Sequence, residues 1–330
     1  MPAEHGGPDE PAGPGRGFVH HACLYGSDAE FLAMAVPFVR AGLAAGEPVL
    51  AATTSANIEL LRAALGDGAR ALDTAETAYF GRRPVERVLA FLRYHERRAR
   101  PGLRMRMIAE PVWSGRSARQ RAEWKRMESG LNLLLAALPL WMVCPYDTRT
   151  VPADVIEAAC ATHPARLDGE HVTPCAAYRD PAAYTASPPP PDPPPPASAV
   201  LAPPTADPAA LRRFARARAA AAGLGGERLA LAELAVHEAA DHLLEAAEGA
   251  RVTLSAWQEP GALVYDLWRP GPHSAPVPAL AGYLPPGADR GGEDGLWLAR
   301  RLSDFLDVRL RDGGTRITLR VAGPTDAEAL

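Results

Sequence analysis

The stretch GGEDGLWLAR, Gly291 to Arg300, has the form of a glycine turn that opens a helix. Such turns present bare backbone N–H groups to a phosphate. Here Glu293 and Asp294 stand inside the turn, so the anion cradle carries negative charge of its own. A second group is Glu233, His237 and Asp241, spaced i, i+4 and i+8 and so on one helix face. His237 and Asp241 are a conceivable metal pair, but a solvated polar stripe is the favoured reading of that face. No resident metal or other cofactor is expected. A third group lies in the first half: Thr53 and Thr54, EPVWSGR from Glu110 to Arg116, and CPYD from Cys144 to Asp147. Glu110, Trp113, Arg116, Tyr146 and Asp147 are unusual company for loop positions. A pocket with an aromatic floor and a few charges is one reading; loop packing with a Glu110–Arg116 pair is the other. Cys144 with His20, His21 or His163 has the residue types of a Cys/His nucleophilic pair. Because Cys144 ends an apolar run, a packed and inert thiol is favoured. No G-x4-G-K-[ST] phosphate loop is present.

Elements legible in the pattern must position these groups. In the first half, Ser27 to Gly46 reads as a helix with Ser27 as N-cap and Glu30 completing a capping box. Apolar runs at Pro48, Leu103 and Leu140 read as strands. Helices follow over Asn57–Leu65, Pro84–Ala99, Ser117–Leu138 and Pro152–Thr162. Strands alternating with helices predict an α/β domain with a mostly parallel sheet. Ligands then bind outside the carboxyl ends of the strands, where the Glu110 and Cys144 segments fall. In the second half two helices end at Gly223 and Gly249. Then come strand, turn and strand, a long Pro/Gly-rich loop from Pro270 to Gly292, a helix, and two more strands. That order predicts an α+β sandwich. Between the halves, residues 187–208 (SPPPPDPPPPASAVLAPPTADP) read as a linker. Its polyproline part spans roughly 25–30 Å.

Composition bounds the function. The chain has 330 residues, 47% hydrophobic and 22% charged, with net charge −4, so no global pull toward nucleic acid or anionic membrane is implied. The polar, Gly/Pro-rich N-terminus has no apolar core of a secretory signal, and no apolar run reaches the ~20 residues that span a bilayer. The four cysteines form no C-x-x-C pair and read as free thiols of a cytoplasmic protein. Residues 82–126 hold fourteen Arg or Lys against four Glu. A nucleic-acid surface is one interpretation; salt-bridged, solvated helix faces are the favoured one.

FVHHACLYGSDAEFL, GEPVL, AEPVWSGRS, the spacing of Glu128 to Asn132, CPYD and THP together resemble the MEDS sensory domain of bacterial and archaeal regulators, over about Phe18 to Tyr184. The resemblance implies a RecA-like fold and the sensing of a small signal. The family's His-x4-Tyr element falls on His20 and Tyr25, and the place of its second histidine is Met127. The expected sensing set is His20, Tyr25, Glu110, Trp113, Arg116, Cys144, Tyr146 and Asp147.

The element order of the second half, with GLWLARRLSDFLDVR and GGTRITL, resembles the histidine-kinase-like ATPase (Bergerat) fold, over about Leu211 to Val321. The nearest likeness is to its anti-sigma-factor serine kinases. That family holds Mg-ATP with three boxes. The Glu of the first, its base, is Glu233, but the magnesium-binding Asn is His237, and the domain contains no asparagine. Magnesium takes hard oxygen ligands, and imidazole substitutes poorly. The adenine-binding Asp of the second box, two residues before Gly271, is Arg269, which has only donors. The third box keeps Gly295 but places Glu293 where its first glycine belongs. A like-charge contact there costs on the order of 1–4 kcal/mol.

The expected organisation is a tail (1–17), a sensory domain (18–186), the linker (187–208), a kinase-like domain (209–322) and a short tail (323–330). The expected function is a cytoplasmic, signal-responsive transcription regulator with a pseudokinase domain. It would bind a sigma factor or an anti-sigma antagonist, with a homodimer among its partner states and no membrane. Two alternatives stand beside it. One is an active serine kinase using Glu233, ATP and magnesium; the other is a nucleic-acid binder working through residues 82–126.

Overall fold

The computed structural model describes residues 17–187, 195–271, 280–286, 294–311 and 313–323. The chain folds as two compact units that divide between Ser187 and Pro188.

Unit one runs β1 (Phe18–Tyr25), α1 (Asp28–Ala44), β2 (Val49–Thr53), α2 (Ser55–Leu65), β3 (Asp73–Glu76), α3 (Pro84–Arg98), β4 (Met105–Ala109), α4 (Ala118–Leu134), β5 (Leu140–Asp147), α5 (Ala153–Thr162), β6 (Ala165–Asp168), β7 (His171–Pro174) and α6 (Pro181–Ala186). The strands form one seven-stranded sheet in the order β3-β2-β4-β5-β1-β6-β7. Every pairing is parallel except β6 with β7. This is the mostly parallel α/β sheet that the alternation predicts. β2 is buried along its whole length, as a strand covered on both faces must be.

Local chemistry sets the helix starts. Ser27 Oγ accepts from Glu30 N, but the Glu30 carboxylate turns to the Gly26 N–H (2.6 Å), one residue before the expected capping-box partner. Thr54 caps α2 through Asn57 N, and Pro84 occupies the first turn of α3. Ser117 and Gln120 cap α4 reciprocally.

Strand alternation then sorts the side chains. Cys23 and Tyr25 pack with Phe31, Met34 and Leu61 beneath α1 and α2. Ala22 pairs in register with Cys144, so His20, Ala22, Cys144 and Tyr146 share the opposite face. That face meets α4, which packs against α3, α5 and α6.

Unit two runs β8 (Val200–Leu201), α7 (Pro208–Ala221), α8 (Gly226–Glu245), β9 (Thr253–Glu259), β10 (Ala262–Pro270), α9 (Asp294–Leu302), β11 (Phe305–Arg311) and β12 (Gly314–Ala322). Its five strands are antiparallel in the order β11-β12-β10-β9-β8. Leu211, Ala215, Val236, Ala239, Leu243 and Leu296 of the helices close the core against Leu254, Tyr265, Leu267, Ile317 and Leu319 of the sheet. This is the expected α+β sandwich. The segment read as linker is partly sheet. Val200 and Leu201 pair with Ala256 and Ser255, and Thr205 bridges to Val252. Pro188–Pro194 of the polyproline run lie outside the described residues. Among the described residues no helix is long and apolar enough to cross a membrane.

Candidate functional site

Beneath α4, four side chains from four elements converge. His20 comes from β1, Glu128 from α4, Cys144 from β5, and His163 from the residue that ends α5. Their potential ligand atoms all lie within 4.8 Å of one another, and all four residues are buried. His20 Nε2 lies 3.3 Å from Cys144 Sγ and 3.8 Å from Glu128 Oε2, and His163 Nε2 lies 3.7 Å from that same oxygen. The two imidazoles stand 4.0 Å apart, centroid to centroid. Burial, then the neighbouring His163, holds the His20 pKa well below the usual imidazole range. Burial likewise takes His163 down to about 3. It pushes Glu128 up to about 7 against the opposing charge of Arg87. Burial and the nearby Glu128 push the Cys144 thiol well up. A buried, protonated thiol beside neutral imidazoles is no activated nucleophile, so the Cys/His catalytic reading has no support here. His21 points to the other face of the sheet, where its Nδ1 accepts from Trp141 Nε1 (3.2 Å).

A second polar group closes the carboxyl ends of β1, β2 and β4. Tyr25 donates to Glu110 Oε1 (2.9 Å), and Asn57 Nδ2 donates to Glu110 Oε2 (3.0 Å). The Thr53 hydroxyl donates to the same carboxylate. From α3, Arg87 reaches Glu110 O (3.0 Å), Thr77 Oγ1 (3.1 Å) and Phe80 O (2.8 Å). Glu110 therefore pairs with hydroxyl and amide donors and not with Arg116. Arg116 instead lies over the Trp124 ring at 3.9 Å and donates to Val112 O. Trp113 stacks on Tyr146 with centroids 6.1 Å apart, and both rings are buried. Their faces serve as packing and do not form an open floor. Asp147 sits apart at the surface, bound by Arg149, which also reaches Asp28.

The sensing set named from the sequence thus divides. His20 and Cys144 join the cluster, with Tyr146 edge-on to His163 at 5.8 Å. Tyr25 and Glu110 join the rim network, while Trp113 and Arg116 pack around Tyr146 and Trp124. The expected sensing set leaves out Glu128, Asn57 and Arg87, and also His163, which entered only as a Cys/His candidate beside Cys144. The i, i+4 pair Glu128–Asn132 and the THP motif were the available signals. Met127, at the family's histidine position, is fully buried. Part of the basic segment is consumed internally, while Arg82, Arg93, Arg97, Arg98 and Arg100 are exposed. Arg87 and Arg104 are buried, Arg106 pairs with Glu47 (2.5 Å), and Lys125 pairs with Asp154 (2.6 Å).

In unit two, Glu233 is held by Arg212 (3.3 Å) and Arg216 (2.7 Å) of α7. His237 Nε2 lies 3.4 Å from Asp241. Arg269 alternates in step with Tyr265 and Leu267, so it shares the helix-facing side of β10. It is 2% exposed there and donates to Thr315 Oγ1 (3.2 Å) and Pro270 O (3.3 Å). Asp266 faces the other side and accepts from Thr318. Gly271 has φ +96° and Gly295 abuts Glu238 O of α8. Glu293 lies outside the described residues.

Two family models match this architecture. Residues 19–164 match the MEthanogen/methylotroph, DcmR Sensory (MEDS) domain. Residues 202–321 match the histidine kinase-like ATPase domain. Among curated proteins no match is found. The chain is therefore a signalling protein in which a MEDS sensory domain is followed by a histidine-kinase-like ATPase domain.

Proposed function

We propose that this protein is a regulator of a sigma-factor circuit, with a sensory first domain and a kinase-like second domain that binds its partner without phosphotransfer. The observation that carries the reading is Arg269. Its guanidinium is buried on the helix-facing side of β10, where the family resemblance calls for a carboxylate that accepts from adenine. A guanidinium offers only donors, so the adenine amino group would face a donor. Two further contacts support the same reading. Glu233, the residue that would act as base, is neutralised by two arginines of α7. His237 stands at the position of the magnesium ligand and leans on Asp241, so an imidazole is offered where an amide oxygen is called for. A fold can persist as an interface after its chemistry has gone. In this reading the partner is a sigma factor or an anti-sigma antagonist, and the signal is a small molecule received in the first domain.

Calorimetric titration of the full chain with Mg-ATP tests the loss of nucleotide binding. The expected result is no heat of binding at micromolar nucleotide. Micromolar binding of Mg-ATP would instead mean a working nucleotide site and defeat the proposal.

A further inference from the structure

We propose that His20, Glu128, Cys144 and His163 form a buried tetrahedral site for a divalent transition metal of the zinc type. The inference is independent of the reading of the second domain.

The hydrogen bonds around the cluster fix which atoms face inward. Asn132 Nδ2 donates to Ser129 O and to Thr162 O, both at 3.0 Å, so the side-chain oxygen must be the atom turned toward His20. His20 Nδ1 lies 3.3 Å from that oxygen and can bond to it only as a donor. The proton is thereby placed on Nδ1, and the Nε2 lone pair points at Cys144 and Glu128. His163 repeats the arrangement. Its Nδ1 lies 2.9 Å from Ala159 O, a pure acceptor, so Nδ1 carries the proton and Nε2 is again a lone pair. A ring N–H held by a carbonyl or amide oxygen, with the other nitrogen free to coordinate, is the usual support of a metal-binding histidine.

Two imidazole lone pairs and a carboxyl group thus converge in a fully buried space. Glu128 Oε2 and His163 Nε2 are buried without a hydrogen-bond partner. An unmet polar atom in a protein interior is costly, and a cation would satisfy both at once. The spacing suits one. Zinc bonds of about 2.0–2.3 Å at tetrahedral angles place neighbouring ligand atoms roughly 3.3–3.6 Å apart. Three of the six ligand-atom separations are 3.3, 3.8 and 3.7 Å, and the others lie within 4.8 Å, so a small inward shift completes the tetrahedron. Two imidazoles, one thiolate and one carboxylate select zinc, or cobalt as its probe, over magnesium or calcium. Loading the site displaces the Cys144 thiol proton to solvent, along with the Glu128 proton where the carboxyl is protonated. Because all four ligands come from the protein, the ion has no open position, which is the pattern of a structural centre. It would tie α4 and the end of α5 to β1 and β5.

The test is cobalt(II) titration of the full chain after removal of metal by a chelator. The expected result is one cobalt per chain, with the intense d–d bands of tetrahedral cobalt and a thiolate-to-cobalt charge-transfer band. Cys144→Ser should lose the charge-transfer band, while Cys23→Ser should keep it. Asn132→Ala, which releases the His20 tautomer, should weaken cobalt binding by about 10–100-fold. X-ray absorption of the wild-type cobalt protein, with one sulfur and three light-atom neighbours expected, does not depend on any variant folding. No bound cobalt, a spectrum without sulfur, or a charge-transfer band that survives Cys144→Ser would each overturn the site.

Discussion

Arg87 directs its guanidinium at four oxygens of unit one, two of Thr77 and the carbonyls of Phe80 and Glu110, from a position only 2% exposed to solvent. Burial lowers its pKa only to about 10, so it stays charged at neutral pH. Removing it takes the donor from Phe80 O and strips a charged donor from Thr77 and Glu110 O, which keep their mutual hydrogen bond, and hydrogen bonds to a charged group are worth about 1.5–3 kcal/mol each. Arg87→Met should therefore destabilise the chain by about 3 kcal/mol or more in urea unfolding. Tyr25→Phe, which takes one donor from Glu110, should cost about 1 kcal/mol. Arg149 makes more ion pairs than either, with Asp147 and Asp28, but at the surface. Exposed pairs are worth about 0–1 kcal/mol, so Arg149→Ala should fall in that range. If Arg149→Ala costs as much as Arg87→Met, burial is not what gives the rim network its weight.

At the scale of elements, the short segment Ala281–Tyr283 shows how unit two fixes chain to helix. Arg300 of α9 donates to Ala281 O (2.7 Å) and lies over the Tyr283 ring at 4.7 Å. Gly282 sits between them at φ +74°, and a Cβ there would stand 2.7 Å from the carbonyl group of Leu296. Gly313, in the turn between β11 and β12, has φ +70° but open space around it. Gly313→Ala should thus pay only the left-handed backbone strain, about 1–2 kcal/mol. Gly282→Ala adds a backbone clash and should lower the unfolding midpoint of unit two by clearly more. Equal losses would mean that the segment yields without effort. The elements themselves were mostly legible in the sequence, because Pro84, Ser27 and Ser117 mark helix starts and β2 and β5 are apolar runs. β1, β3 and α6 were not read as elements, and neither were the β6–β7 hairpin and β8. The strands of that hairpin and β8 are two to four residues long, β7 and β8 are exposed, and β8 follows a proline run, so neither periodicity nor burial betrays them. The rim is a related case. Residue type alone left a ligand floor and loop packing open for Trp113 and Tyr146, and the burial and stacking of both rings accord with the packing alternative. Most of the cluster under α4 was visible as residue types, since His20, Cys144 and His163 are named together, while Glu128 stood out only by its spacing to Asn132 and joins them because α4 lies on the strands β5 and β1.

At the scale of the whole molecule, the division between Ser187 and Pro188 separates two cores, and a perturbation of one should be read out in that one. Calorimetry of the full chain checks this directly. Gly282→Ala identifies the transition of unit two, and Arg87→Met that of unit one. A ligand that binds only the native state stabilises it by RT ln(1 + [L]/Kd), about 4 kcal/mol at a thousandfold excess over Kd. For a unit of this size each kcal/mol moves the midpoint by about 2–4 °C. Zinc added to metal-free protein should therefore raise the unit-one transition by roughly ten degrees, and a chelator should reverse the shift. The unit-two transition should stay within experimental error, since among the described residues the one group of three or more potential ligands lies in unit one. On the proposed reading, in which Arg269 and His237 stand in place of the nucleotide-holding groups, Mg-ATP should move neither transition. A zinc-dependent rise of the unit-two transition would shift attention to His237 and Asp241. An ATP-dependent rise of the same transition would mean that the kinase-like fold still binds the nucleotide its altered boxes argue against.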